Sequence, residues 1–312
     1  MKVLFHYDAG EKLRTEVAAL QGQGLDVVCC PEGPAQPFAT ELADAEVIWH
    51  VLHPITAATI ARAPRLRLIQ KIGVGVNTID LNAAKAAGIA VCNMPGTNSR
   101  AVAEMTLLLM LSALRKQASI DRACRSGQWV VNQATREAFG EIGGRSIGFV
   151  GFGGVPQILA PIVEARGARV IYTANSPKAV KYDCLPLEKL LQQADIVSLH
   201  LPLTAKTEGL IDAARLAMMK PGAVLVNTAR GALVDEQALY LALTEGNLGG
   251  AGLDVFAQEP VPADNPLLSL DQVAVAPHVA WLTNETFTRS IDIAVHNSLA
   301  VRDGAALVHQ VV

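Results

Sequence analysis

The segment Ser146-Ile-Gly-Phe-Val-Gly-Phe-Gly-Gly-Val-Pro156 reads as a buried strand that runs into a glycine turn and then into a helix. Glycines at such a turn let the backbone approach a pyrophosphate, and the helix N-terminus that follows favours its negative charge. Outward from this point, short β-branched runs alternate with Ala-rich helical stretches in both directions. Upstream, strands are predicted over residues 3–6, 26–29, 47–50, 66–71 and 90–92. Downstream they are predicted over 146–151, 169–172, 196–200, 223–227, 251–255 and 273–276. Helical patterns between them include 54–63, 81–87 and 236–244. This alternation implies an α/β fold of two doubly wound parallel-sheet domains.

The two strand series are separated by residues 98–116, an unbroken run of helix formers whose start Asn98 or Ser99 can cap. A less regular stretch, 117–144, follows it. Residues 282–312 read as a helical tail too short to be a domain, expected to pack back on the first one. The expected division is 1–95 with 283–312, and 96–282.

Composition excludes several classes. A chain of 312 residues, 51% hydrophobic and 18% charged, can bury two cores and is far from the disordered regime. Lys+Arg 26 against Asp+Glu 29, a net charge of −3, argues against a nucleic-acid partner. Cys29, Cys30, Cys92, Cys124 and Cys184 are odd in number and lack metal-ligand spacing. They read as reduced, mostly buried thiols, the Cys29–Cys30 pair as core, and no metal centre is expected. Residues 1–10 lack the pattern of a signal peptide, and the apolar run 105–114 is half of what a bilayer requires. A soluble, cytoplasmic protein without a membrane partner is expected.

The glycine loop departs from the usual dinucleotide fingerprint in two places. Gly151 and Gly153 are its first two glycines, but Pro156 stands at the third position. Proline is tolerated in a helix's first turn, although the strand–helix contact that glycine provides must then be made differently. The second departure follows the strand at 169–172. The carboxylate that NAD-binding units offer to the ribose 2′-OH falls on Ala174 here, with Asn175 and Ser176 next and Lys178 and Lys181 nearby. Donors without a repelling carboxylate favour NADP, with NAD also possible. Taken alone, the segment also fits a glycine turn that binds nothing.

Six longer segments carry a more specific signal. They are Lys71-Ile-Gly-Val-Gly-Val-Asn-Thr-Ile-Asp-Leu81, Asn93-Met-Pro-Gly-Thr-Asn-Ser-Arg-Ala-Val-Ala-Glu104 and Ala194-Asp-Ile-Val-Ser-Leu-His-Leu-Pro-Leu-Thr204. Further on come Val226-Asn-Thr-Ala-Arg-Gly-Ala-Leu-Val-Asp235, Gly252-Leu-Asp-Val-Phe-Ala-Gln-Glu-Pro260 and Ala276-Pro-His-Val-Ala-Trp281. From about Leu66 onward the chain resembles the D-isomer-specific 2-hydroxyacid dehydrogenases, in which such segments occur in this order. The resemblance implies a Rossmann cofactor domain inserted in a flavodoxin-like substrate domain, with the active site in the cleft between them. It also implies a homodimer built on residues 98–144, including Trp129.

By the same resemblance His278 is the catalytic acid/base, Glu259 favours its charged form, and Arg230 holds the substrate carboxylate, which backbone N–H groups at Val74 and Gly75 also clamp. Cofactor contacts are implied at Gly151, Gly153, Gly154, Val155, Ala174, Asn175, Ser176, Leu201, Pro202, Thr106, Thr228, Ala229 and Asp254. Each key residue also has a plainer reading: His278 as a strand-end histidine, Arg230 as a surface ion pair, Glu259 as a loop carboxylate, Asp254 as a turn cap. His53 reads as a loop histidine or a substrate contact, and Trp281 as a pocket wall.

The implied function is NAD(P)H-dependent reduction of a small 2-oxo acid, glyoxylate or hydroxypyruvate first, to a D-2-hydroxy acid. Phosphoglycerate oxidation is the alternative within the class. Phosphite dehydrogenases carry lysine where Val74 stands, and formate dehydrogenases carry an amide where Glu259 stands; both are disfavoured. A nucleotide-sensing corepressor-like module is the reading from a different class, and a degenerate paralogue with weak cofactor binding is a third.

Overall fold

Strands form along the β-branched runs, and most are buried on both faces, as parallel strands covered by helices must be. The computed structural model describes residues 1–32 and 36–312 and divides into two units, Met1–Asn98 with Thr283–Val312, and Ser99–Leu282.

In the first unit, β1 (Lys2–His6), β2 (Asp26–Cys30), β3 (Val47–His50), β4 (Leu68–Lys71) and β5 (Ala90–Cys92) form one parallel sheet in the order β2-β1-β3-β4-β5. That is the flavodoxin-like order. Helices α1 (Glu11–Ala18), α2 (Gln36–Glu41), α3 (Ala57–Ala61) and α4 (Leu81–Ala86) connect the strands. Thr56 and Asp80 cap α3 and α4 by accepting from Thr59 and Ala83 N–H. The C-terminal helix Asn284–Asp303 is tied to this unit by buried polar bonds. Asn297 Nδ2 donates to Gln70 Oε1 at 2.7 Å, and Trp49 Nε1 donates to Ser298 Oγ at 3.0 Å. The strand predicted from residue 66 starts two residues later, because Leu66 N–H closes a turn onto Ala63 O.

The second unit opens with α5 (Ser99–Arg115), α6 (Gln117–Arg125) and α7 (Gln133–Glu137). Its seven-stranded parallel sheet comprises β6 (Ser146–Val150), β7 (Arg169–Thr173), β8 (Asp183–Cys184), β9 (Ile196–Leu199), β10 (Ala223–Asn227), β11 (Leu248–Leu253) and β12 (Val273–Val275). The order is β12-β11-β10-β9-β6-β7-β8. Helices α8 (Gly154–Glu164), α9 (Leu187–Gln193), α10 (Ala213–Met218) and α11 (Glu236–Thr244) cross between strands. The order reverses between β6 and β9, the switch point beside which doubly wound sheets bind dinucleotides.

Two elements depart from their sequence patterns. The strand expected over 251–255 begins at Leu248 and runs through Gly249 and Gly250. Glycines usually weaken strands, but here they admit close neighbours: a Cβ would overlap Gly222 O at Gly249, and would lie 2.8 Å from Gln272 O at Gly250 and 2.8 Å from Leu109 Cβ of α5 at Gly252. The two-residue edge strand β8 has too little pattern to read. Among the cysteines, all free, Cys30 and Cys92 are buried and Cys29 and Cys184 half-buried. Cys124 is exposed on α6, against the expectation of mostly buried thiols. Among the described residues, no helix is long and apolar enough to cross a membrane.

Candidate active site

In the second unit, the residues singled out from the sequence gather at the C-terminal ends of the strands. Gly151 follows β6, Ala174 follows β7, Leu201 and Pro202 come after β9, Thr228 to Arg230 after β10, Asp254 directly after β11 and His278 after β12. Ligands of open α/β sheets bind along this edge.

At the glycine loop, Gly151 has φ +91, and a Cβ there would lie 2.6 Å from His200 O. The turn therefore has room only for glycine. Gly153 is exposed with open space where a Cβ would project, and no side chain caps α8. Uncapped N–H groups at an open helix start fit a pyrophosphate. Pro156 is the third residue of α8, where its missing N–H leaves no helical bond unmade, and it is buried. Beneath the loop His200 is held neutral, burial pushing it down to about 3, and its Nε2 pairs with Ser198 Oγ at 2.9 Å.

Ala174 is half-buried, and Asn175 and Ser176 are exposed beyond it. Of the two lysines expected nearby, Lys181 forms a surface ion pair, its Nζ 2.7 Å from Glu164 Oε2. Thr106, expected among the cofactor contacts, lies on α5. It is fully buried, donates to Val102 O, and lies 2.9 Å from Thr228 Oγ1. That bond ties α5 to the turn after β10, where Thr228 and Ala229 lie.

The turn after β10 is shaped by Asn227, a residue the sequence reading missed. Its Oδ1 accepts from Ala229 N–H at 3.0 Å and its Nδ2 donates to Arg230 O at 2.8 Å. A buried asparagine at a strand end was the available signal. Gly231 packs so tightly on the next turn that a Cβ would overlap the Phe256 carbonyl. That contact places Arg230, partly exposed, beside Glu259, whose charge opposes the lowering that burial imposes on the guanidinium pKa.

His278 Nδ1 lies 2.6 Å from Glu259 Oε2. An ionised carboxylate only accepts, so Nδ1 carries the proton and Nε2 is left for another partner. Glu259 Oε1 accepts from Phe256 N–H at 2.9 Å. Burial raises the Glu259 pKa, but the bonds from His278 and Phe256 and the charges of His278 and Arg230 outweigh it, holding the group below the usual carboxylate range.

His278 itself has φ +55, an uncommon conformation for a side-chain-bearing residue. It is locked there by bonds to Asp254, whose backbone O accepts from His278 N–H at 2.7 Å. The Asp254 carboxylate accepts from Val279 N–H at 2.9 Å and Ala280 N–H at 3.0 Å, and Trp281 Nε1 donates to His278 O. Asp254 is thus buried and caps the loop that carries His278. Burial raises its pKa despite those bonds.

In the first unit, Val74 and Gly75 lie in the loop after β4, with the Val74 side chain exposed and its carbonyl accepting from Asn93 Nδ2 at 2.9 Å. His53 is exposed, with its ring edge-on to His6.

A family model described as "D-isomer specific 2-hydroxyacid dehydrogenase, NAD binding domain" matches residues 107–280. A glyoxylate reductase of Korarchaeum cryptofilum is 40% identical over 257 residues, 80% of this chain and 77% of that protein. A D-3-phosphoglycerate dehydrogenase of Mycobacterium tuberculosis is 38% identical over 301 residues; the match covers 93% of this chain but 56% of that protein. The crystal structure of TT0316 protein from Thermus thermophilus superposes with a TM-score of 0.91 at 38% identity, covering 100% of both chains.

Proposed function

This chain belongs to the D-isomer specific 2-hydroxyacid dehydrogenases, and we propose that it reduces a small 2-oxo acid, glyoxylate or hydroxypyruvate in the first place, to the D-2-hydroxy acid. The observation that carries this reading is the His278–Glu259 pair at 2.6 Å with Arg230 beside it. A nicotinamide dinucleotide, held by Gly151, Gly153, Gly154, Val155 and the turns at Leu201–Pro202 and Thr228–Ala229, supplies the hydride when bound.

The chain's own residues do the rest. Arg230 presents a planar fork suited to the substrate carboxylate. His278 gives a proton from Nε2 to the carbonyl oxygen as negative charge develops there. Glu259 orients the ring through Nδ1 and balances its charge, while Asp254 fixes the loop that carries it.

The cofactor choice leans to NADPH, since Asn175, Ser176 and Lys178 offer donors and positive charge where a carboxylate would repel a 2′-phosphate. The molecule works as a cytoplasmic homodimer built on residues 98–144. Trp129 is 88% exposed and Val130 77%, with Leu108 and Leu111 also exposed on α5. Apolar surface on this scale marks an interface. The likeness to a phosphoglycerate dehydrogenase over 93% of the chain favours, as a second reading, oxidation of a phosphorylated hydroxy acid. A panel of 2-oxo acids, assayed with NADH and NADPH by loss of reduced-nicotinamide absorbance, separates the two readings. Turnover of glyoxylate or hydroxypyruvate supports the first, and turnover confined to the phosphorylated substrate the second.

A further inference from the structure

We infer that His6, Glu32 and His50, in the first unit, form a binding site for a zinc-type divalent cation. β1 and β3 are parallel neighbours with His6 and His50 in register, so the two rings project to the same face of the sheet. Glu32 follows β2 on the other side of β1. One ligand atom from each of the three residues lies within 4.8 Å of the others. Tetrahedral zinc with bonds of 2.0–2.1 Å needs its ligands about 3.3 Å apart, so the three ligand atoms would draw together on binding.

The hydrogen bonding points to the same conclusion. His6 and His50 are both 0% exposed. Both ring nitrogens of His6 and Nδ1 of His50 have no hydrogen-bond partner among the described residues. Buried polar atoms are nearly always paired, so orphaned nitrogens on two neighbouring buried rings need a ligand. His50 Nε2 is 2.8 Å from Thr78 Oγ1, and donation there leaves the Nδ1 lone pair for a metal. Glu32 Oε1 accepts from Leu52 and His53 N–H at 2.6 and 2.7 Å, which fixes the carboxylate and leaves Oε2 to coordinate. Phe38 stacks on His6 at 3.9 Å and limits its rotation.

The donor set is two imidazoles and one carboxylate, which suits zinc, cobalt(II) or nickel(II) better than magnesium or calcium. Burial and the nearby charge of Lys71, whose Nζ bonds to Val51 O, disfavour the protonated form of His50. The sequence offers no motif for this site because its ligands lie on three separate strand ends. The β1/β3 boundary is also the switch point of this sheet, the usual place for a ligand. A metal here would tie two strand ends to the backbone of the Leu52–His53 loop.

The test uses the whole chain, stripped with chelator and titrated with Zn2+ and, separately, Co2+. The inference expects one tight equivalent per chain, a Co2+ absorption spectrum of four-coordinate type and a rise in Tm with metal. E32Q and H6N should each weaken binding by more than about tenfold. E32Q removes only a half-buried charge, so it decides the question even if H6N does not fold. Binding absent in the wild type, or equally tight in E32Q, overturns the site.

Discussion

Replacing Glu259 by Gln removes one acceptor while keeping the side chain's shape. The native carboxylate uses both oxygens, Oε1 for Phe256 N–H at 2.9 Å and Oε2 for His278 Nδ1 at 2.6 Å. Glutamine has a single acceptor oxygen, so it satisfies either the Phe256 N–H or the imidazole. In both cases the charge that balances a protonated ring is gone. A hydrogen bond to a charged group contributes about 1.5–3 kcal/mol, which places the loss in kcat/KM at about 10–150-fold. The assay is steady-state oxidation of NADPH with the 2-oxo acid varied, across the pH range, with cofactor affinity measured separately. Cofactor affinity should hold, and the alkaline limb of the rate profile should move to lower pH. The substitution also acts on stability. Because Glu259 is held below its ordinary value of 4.5, its contribution is present above that pH and fades as pH falls through the lowered value. The stability gap between wild type and E259Q should therefore narrow from about pH 7 to about pH 3. Unchanged kcat/KM with an unmoved profile would refute both the charge-balancing and the orienting role.

Gly231→Ala forces a Cβ into the Phe256 carbonyl, so it should destabilise by at least about 1–3 kcal/mol and lower kcat/KM by displacing Arg230; wild-type Tm and kinetics would show that the turn yields freely. With one saturating 2-oxo acid, kcat/KM should favour NADPH over NADH by about tenfold, the worth of one hydrogen bond to a charged group, and a clear advantage for NADH would contradict the donor reading of Asn175 and Ser176. Sedimentation at micromolar concentration should show a dimer that W129S weakens, whereas a wild-type monomer would leave the exposed Trp129 surface without a partner.

The fold class was legible because most strands carry their own signal, a short run of β-branched and apolar residues. The same holds for α5, whose run of helix formers ends one residue from where it was drawn. What was not legible depends on partners distant in sequence. Gly249 and Gly250 sit in a strand because the Gly222 and Gln272 carbonyls crowd the places where their Cβ atoms would be. The Thr106–Thr228 bond joins residues far apart in the chain, as do the Lys181–Glu164 pair and the bonds from Val279 and Ala280 N–H to the Asp254 carboxylate. The His6, Glu32 and His50 cluster is invisible for the same reason: sheet order, not spacing, brings the three side chains together.

The central claim is that His278 delivers the proton in carbonyl reduction, and turnover by H278A alongside its cofactor affinity tests it most directly. The account predicts that turnover on the best 2-oxo acid falls by roughly 10²–10⁴-fold while dinucleotide binding is kept. Turnover near the wild-type value with intact binding would contradict it, and would return His278 to an ordinary histidine at the end of a strand.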